Sequence, residues 1–204
     1  MKKKPLPRSF YLHETVSVAR SLLGCVLWRK IGSSELAARI VETEAYLGAN
    51  DPAAHTRRGM RTPRVESMYL EGGHAYVYFT YGMHFCLNVV TQEADQAEAV
   101  LIRAAQPLEG IEIMESNRPK AKREFDLLSG PGKLCMALQI DRDLDGEPLD
   151  GKKLWLAPGE TETAEADIMV TPRIGIDGSG DAAHWPLRFF LGGNRYVSMA
   201  RRYR

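Results

Sequence analysis

Apolar and polar positions along the chain alternate between two periods. Leu12 to Gly24 follows helical spacing, with Val16, Ala19, Leu22 and Leu23 on one stripe and Gly24 placed to end the helix in a left-handed turn. Cys25–Arg29 and Ala37–Leu47 then read as the arms of a hairpin turning through Gly32, Ser33 and Ser34. The second arm ends in RIVETEAYLG, Arg39 to Gly48, where a period of two sends Glu42, Glu44 and Tyr46 to one face and Val41, Ala45 and Leu47 to the other. Two carboxylates and a phenol are costly to bury. That face is therefore either the wetted side of an edge strand or a binding site that uses them.

The segment Ala49–Leu70 has no clean period and is rich in Arg, Gly, Pro and Thr, the character of a functional irregular stretch. AYVYFTYGMHFCLNVV, Ala75 to Val90, carries the strongest strand signal, two aromatic and β-branched runs around the turn Thr80-Tyr81-Gly82-Met83. Tyr76 and Tyr78 share a face. Tyr81 at the tip either folds back onto the sheet or is a wedge that enters a partner. Glu98–Ala104 is a further strand, and the arginine embedded in it, Arg103, needs a carboxylate or phosphate partner because it cannot shed its charge. Pro107–Arg118 returns to helical spacing, and Pro131 opens a short helix carrying Leu134, Met136 and Leu138. Asp141–Gly151 and Gly159–Ala166 read as solvated acidic connections. Leu154–Leu156, Ile168–Ile176, Leu187–Leu191 and Tyr196–Met199 are short strand candidates, with a turn over Asp177–Ala183.

Composition narrows the class. With 204 residues and 44% hydrophobic content the expectation is one domain, residues 1–204, with its own core. No run is long and apolar enough for a membrane span, and the start MKKKPLPRSF has no signal-peptide core, so a cytoplasmic protein is expected. Three scattered cysteines, Cys25, Cys86 and Cys135, read as small core residues, and five histidines lack metal-ligand spacing, so neither a metal nor another cofactor is expected. The net charge of +1 announces no polyanion partner by itself. Its distribution changes that picture: Arg57, Arg58, Arg61 and Arg64 crowd one loop, which favours an anion site, phosphate above all. The basic ending RYVSMARRYR is either a second contact to a polyanion or a frayed tail. Lys133 in the GPGK string lacks Walker A spacing and is either a single-phosphate contact or part of an ordinary helix start.

Together these parts suit an enzyme that takes a flat, π-bearing group from an anionic polymer. Aromatic residues would stack the base, arginines would hold flanking phosphates, and a carboxylate would activate water at a glycosidic carbon. Spacing does not choose between N- and O-glycosidic bonds, because paired carboxylates also serve sugar hydrolases. A binding module with a stacking platform is the other alternative, although it has no use for a carboxylate in an anionic groove.

The strings themselves resemble a known family. RIVETEAYLG, AAH at Ala53–His55, TPR at Thr62–Arg64, YVYFTYGMHFCLNV, VLIRA at Val100–Ala104, QPLEG, SGPGKLC, TPRIGI and PLRFFL look like the alkyladenine (3-methyladenine) DNA glycosylases of base-excision repair, in order along almost the whole chain. The resemblance implies a single α+β domain whose curved, mostly antiparallel sheet, open like a partial barrel or roll, is flanked by helices. It also implies a monofunctional enzyme that flips alkylated or deaminated purines out of double-stranded DNA as a monomer, associated with the nucleoid through DNA. By the same carry-over Glu44 is the general base and Arg103 helps hold the water and keeps Glu44 ionised. Tyr46, His55, Tyr78, Asn88 and Ala53 form the base pocket, with Asn88 crowding the amino group of normal guanine, and Tyr81 fills the gap in the duplex. Arg64, with Arg61, Arg58, Met68, His84 and Lys133, is expected along the DNA backbone. His84 departs from the tyrosine of mammalian members beside the wedge, and the partner of Glu42 stays open.

Overall fold

The computed structural model of the protein describes residues 3–161 and 163–198; the basic ending beyond Ser198 and the last residue of the strand expected at Tyr196–Met199 lie outside them. The chain enters through a 3-10 turn, Arg8–Leu12, and the helix α1, Thr15–Ser21. This is shorter than the stripe predicts, because His13 is extended (φ −81°, ψ 168°) and separates the two turns. Gly24 takes the expected left-handed conformation at φ +87°. A hairpin follows, β1 (Val26–Ile31) and β2 (Ser34–Tyr46), then β3 (Ala75–Thr80), β4 (His84–Thr91) and β5 (Glu98–Glu109). The helices α2 (Ile111–Asn117) and α3 (Pro131–Ala137) precede three short strands, β6 (Leu154–Ala157), β7 (Ile168–Thr171) and β8 (Arg188–Leu191).

All eight strands join one antiparallel sheet in the order β3-β4-β5-β2-β1-β6, with β8 also on β2 and β7 on β8. The sheet curls into a half-barrel, the α+β architecture expected. β2 is its axis. One edge pairs with β5 along most of its length; the other pairs first with β1 and then, from Glu42 to Glu44, with β8. A strand paired on both edges and covered on both faces has no wetted side, and Glu42 and Glu44 are both 0% exposed, which removes the solvated-edge alternative. The main core packs Ile40, Val41, Leu87, Val100 and Ile102 of the sheet with Leu22, Leu134 and Leu138 from the helices and their ends. A smaller cluster of Val65, Met68, Tyr76, Val90 and Ala99 closes the other side.

Three elements differ from the sequence pattern. Pro107, read as the start of a helix, lies in β5 opposite Ala38, where a bulge tolerates its missing N–H, and Leu108 packs near Trp28 and Trp155. The helix begins only after Gly110, at φ +72°. β7 ends at Thr171 rather than Ile176 because Pro172 follows and Arg173 turns into the interior. Tyr196–Ser198 forms turns, not a strand. Asp145, in the loop read as solvated, accepts from the Ser67 hydroxyl at 2.6 Å and the Val77 amide at 2.8 Å and so ties that loop to β3.

The fold also answers the question of Glu42. Its Oε1 accepts from Arg188 Nε at 2.6 Å, the Ser198 hydroxyl at 2.8 Å and Arg103 Nε at 3.1 Å, and its Oε2 accepts the Ser198 amide at 2.6 Å. Glu42 thus joins β2, β5, β8 and the segment beyond β8. Removing one member of such a network leaves buried charge without a partner. Glu42→Ala should therefore cost about 3–5 kcal/mol in urea unfolding, and a loss below about 1 kcal/mol would show that the network is not what joins these strands.

Candidate active site

β3 and β4 turn through Tyr81 and Gly82, both at positive φ (50° and 68°), with the Met83 amide donating to the Thr80 carbonyl at 3.2 Å. That is the mirror-image turn whose twist suits a hairpin, in which Asn-Gly is the usual pair. A bulky tyrosine in a left-handed conformation is strained, yet Tyr81 remains 81% exposed. It does not fold back onto the sheet.

Inside the curl, β3, β4, β5 and two loops enclose a cavity of about 380 Å³. Tyr76 and Tyr78 stack at 5.4 Å along one wall, and the His55 ring meets Tyr78 edge-on at 4.5 Å. His55 Nδ1 lies 2.8 Å from the Tyr76 hydroxyl. Tyr46, Ala53, His55, Tyr78, Asn88, Tyr81 and Arg103 all line the cavity, so these seven predicted residues, from four strands and two loops, come together. Asn88 Nδ2 donates to the Tyr76 carbonyl at 3.1 Å, which holds its amide against the wall.

Glu44 sits one layer deeper. It is fully buried and does not line the cavity; the three groups that hold it do. Tyr46 Oη donates to its Oε2 at 3.0 Å, Arg103 Nη1 donates to the same oxygen at 3.3 Å, and the Ile174 amide donates to Oε1 at 2.8 Å. Arg103 is one of several influences on the charge of Glu44. Burial pushes the Glu44 carboxyl above the usual carboxylate range, and although Arg103, the Ile174 amide and Tyr46 all oppose this, burial wins. Glu44 is thus a stronger base than a surface carboxylate while its donors remain those suited to an anion.

The DNA-side residues divide. Arg57, Arg58, Arg61 and Arg64 are exposed beside the aromatic wall, and Arg64 lies 5.7 Å from the Tyr78 ring with Nη2 on the Phe79 carbonyl at 3.2 Å. Arg61 is ion-paired to Glu66 and to Asp95, at 2.5 and 2.8 Å, so it meets a phosphate only by exchanging those partners. Met68, expected along the backbone, is instead 2% exposed in the cavity wall. His84 packs against Gly132 at the start of α3, away from the cavity, and exposed Lys133 donates to Ser129 Oγ at 3.2 Å. Cys86, expected as plain core, is buried and lines the cavity opposite Tyr78 in the sheet register.

Several site members escaped the sequence. Tyr76 had a signal, since it shares the face of Tyr78 two residues away. Asp51, Arg173 and Ile174 had less; the only hint was an arginine in a sparsely polar string, the argument that did find Arg103. Among the described residues no cluster of His, Cys, Asp and Glu is fit to hold a metal, and no helix is long and apolar enough to cross a membrane.

An enclosed aromatic slot for a planar ring, placed over a buried carboxylate and ringed by exposed arginines, defines the class: a hydrolase that acts on a nucleic-acid base. Comparison with known proteins gives the family. Residues 9–195 match the family described as methylpurine-DNA glycosylase (MPG). A protein of Desulfitobacterium hafniense is 48% identical over 203 residues, covering 96% of this chain and 99% of its own. One of Carboxydothermus hydrogenoformans is 52% identical over 194 residues, covering 95% and 98%, and one of Bacillus subtilis 45% identical over 197, covering 96% and 97%. Each is provisionally named a 3-methyladenine DNA glycosylase. The chain belongs to the methylpurine-DNA glycosylase family and is accordingly a DNA glycosylase, a hydrolase of N-glycosyl bonds.

His55 provides a measurable check on this geometry. Burial first, then the charges of Arg64 and Arg57, lower it from 6.5 to about 4. Because the folded value lies below the unfolded one, the unfolded chain binds the extra proton between these limits. The contribution of His55 is fully present above pH 6.5 and is lost as pH falls toward 4, up to about 3 kcal/mol. In urea unfolding at pH 7 and pH 4.5, His55→Gln should remove that part of the acid sensitivity; equal pH dependence in both proteins would place a charged imidazole in the wall.

Proposed function

We propose that this glycosylase extrudes alkylated or deaminated purines, of the 3-methyladenine, 7-methylguanine, hypoxanthine and ethenoadenine class, from duplex DNA and hydrolyses the N-glycosidic bond with water activated by Glu44. The observation that supports this most is the placing of Glu44, buried beneath the aromatic slot on Tyr46, Arg103 and the Ile174 amide. Water held against that seam gives its proton to the carboxylate as its oxygen bonds the sugar carbon. The bond to the base breaks, and its electron pair leaves with the purine. Purines alkylated at N3 or N7 carry positive charge and already leave easily, so the site needs only to extrude, stack and hydrate them. The tyrosine faces favour such cationic rings. Neutral lesions need a proton delivered as well, and damaged pairs cost less to open.

Tyr81 fills the gap that the extruded nucleotide leaves, and Asn88 crowds the amino group of normal guanine. Arg64 and Arg58 follow the phosphates, with Arg61, Lys133 and His84 on the flanks. Among the described residues no lysine borders the cavity to form an imine with the sugar, which supports an intact strand with an abasic site as the product. We place the enzyme in the cytoplasm, on the nucleoid, as a monomer.

Duplexes carrying each lesion, incubated with the protein and then treated with alkali, test this directly: strand breaks should appear only after the alkali. Glu44→Gln should abolish release and keep affinity for an abasic-site analogue; intact strands with wild type across the panel, or binding without release, would make the protein a binding module. Tyr81→Ala should weaken capture of the extruded base by the loss of about 1–3 kcal/mol of stacking, read as lower affinity and slower single-turnover release. Unchanged values would leave the wedge without a role.

A further inference from the structure

The roles assigned so far leave one buried ion pair unexplained. Asp51 and Arg173 have fully buried side chains. Arg173 donates through both Nη atoms to the two oxygens of Asp51, and its Nη1 also reaches the Ala45 carbonyl at 2.9 Å. Asp51 accepts in addition the amides of Leu47 at 3.1 Å and Ala53 at 2.9 Å. The guanidinium carbon lies 4.6 Å from the centre of the Tyr46 ring. The next residue, Ile174, carries the amide that meets Glu44. A buried pair of this kind adds little net stability over packed apolar residues, whereas it fixes firmly whatever it touches. What it touches is the backbone on either side of Tyr46, the start of the loop bearing Ala53, and the segment that reaches Glu44.

We propose that the Asp51–Arg173 pair is a positioning device for Glu44: it holds the Ile174 amide on Oε1 and backs the Tyr46 ring, so that the base is presented to water as an anion. This rests on the reading of Glu44 as the general base. The groups facing Glu44 are Arg103 from β5, Glu42 and Tyr46 from β2, Tyr78 from β3, Cys86 from β4, Arg188 opposite it in β8, and the Ile174 amide. Tyr78 and Cys86 are themselves raised, so they stay neutral in acid. The acid limb of the rate therefore reports Glu44, whose carboxyl burial raises above the usual carboxylate range, while burial and the nearby arginines lower His55.

The test is the pH profile of single-turnover base release for wild type, Asp51→Asn, Arg173→Lys and the double variant Asp51→Asn/Arg173→Gln. The double variant leaves no unpaired charge behind. Loss of the Ile174 contact should move the acid limb upward by about one pH unit, the order expected for one hydrogen bond to an ionised group, with a less than tenfold fall at the plateau. A limb that stays in place in variants that melt cooperatively, whatever their rate, overturns the proposal, as does failure of all three to fold. Glu44→Gln separates the two claims: if it still releases base, the general-base reading fails, and if it is inactive while the limb does not move, only the positioning role fails.

Discussion

The structure depends on charge buried around β2. Glu42, Glu44 and Asp51 face Arg103, Arg188 and Arg173, and each of the six residues is at most 8% exposed. An isolated buried carboxylate or guanidinium would cost several kcal/mol, so none of the six can be placed without its partner. Matching them ties β2 to β5 through Arg103 and to β8 through Arg188, and ties the loop after β2 to the segment after β7 through Arg173, which also reaches the Ala45 carbonyl of β2. Hydrophobic burial accounts for the collapse of the sheet, since one covered face excludes water as well as another. The charge pairs select which short strand closes against which part of β2.

Two glutamates a single residue apart then diverge through their surroundings. Glu42 meets two guanidiniums and both donors of Ser198, and it is enclosed within the sheet. Glu44 shares Arg103 at a longer 3.3 Å, and its other donors, Tyr46 and the Ile174 amide, belong to residues that line the cavity. The more completely satisfied carboxylate has no lone pair turned toward a substrate. The less satisfied one, next to the slot, keeps the raised basicity that burial confers. Environment rather than residue type separates the carboxylate enclosed in the sheet from the one set beneath the slot.

How much of this was legible follows from sequence distance. The β3–β4 hairpin, its tyrosines and the tip were readable because strand period and turn chemistry are local. Arg103 was readable because a charge inside an apolar strand demands a partner. The same rule applies to Arg188 in PLRFFL and to Arg173 after Pro172, but their partners lie 146 and 122 residues away, and no local pattern names them. Pro107 failed in the opposite sense. Leu108, Ile111 and Met114 have helical spacing, yet the bulge opposite Ala38 and packing against the Trp28 cluster outweigh a weak propensity.

The same hairpin carries both the exposed Tyr81 and the aromatic wall of the cavity. Tyr81 and Gly82 close it by a turn that matches strand twist, and the Tyr81 ring is held out at the cost of a strained backbone. A few residues back along β3 and onward along β4 stand Tyr78, Tyr76, Cys86 and Asn88, paired across the ladder as Tyr78 with Cys86 and Tyr76 with Asn88. Tip and wall therefore belong to one continuous ladder. The distance from the tip to the slot is fixed by strand geometry, while the buried charges beneath the slot are fixed separately, by pairs that reach across the whole chain. The tip and the aromatic wall thus rest on local structure and the buried charges on long-range structure, which is why the first were plain in the sequence and the second needed the fold.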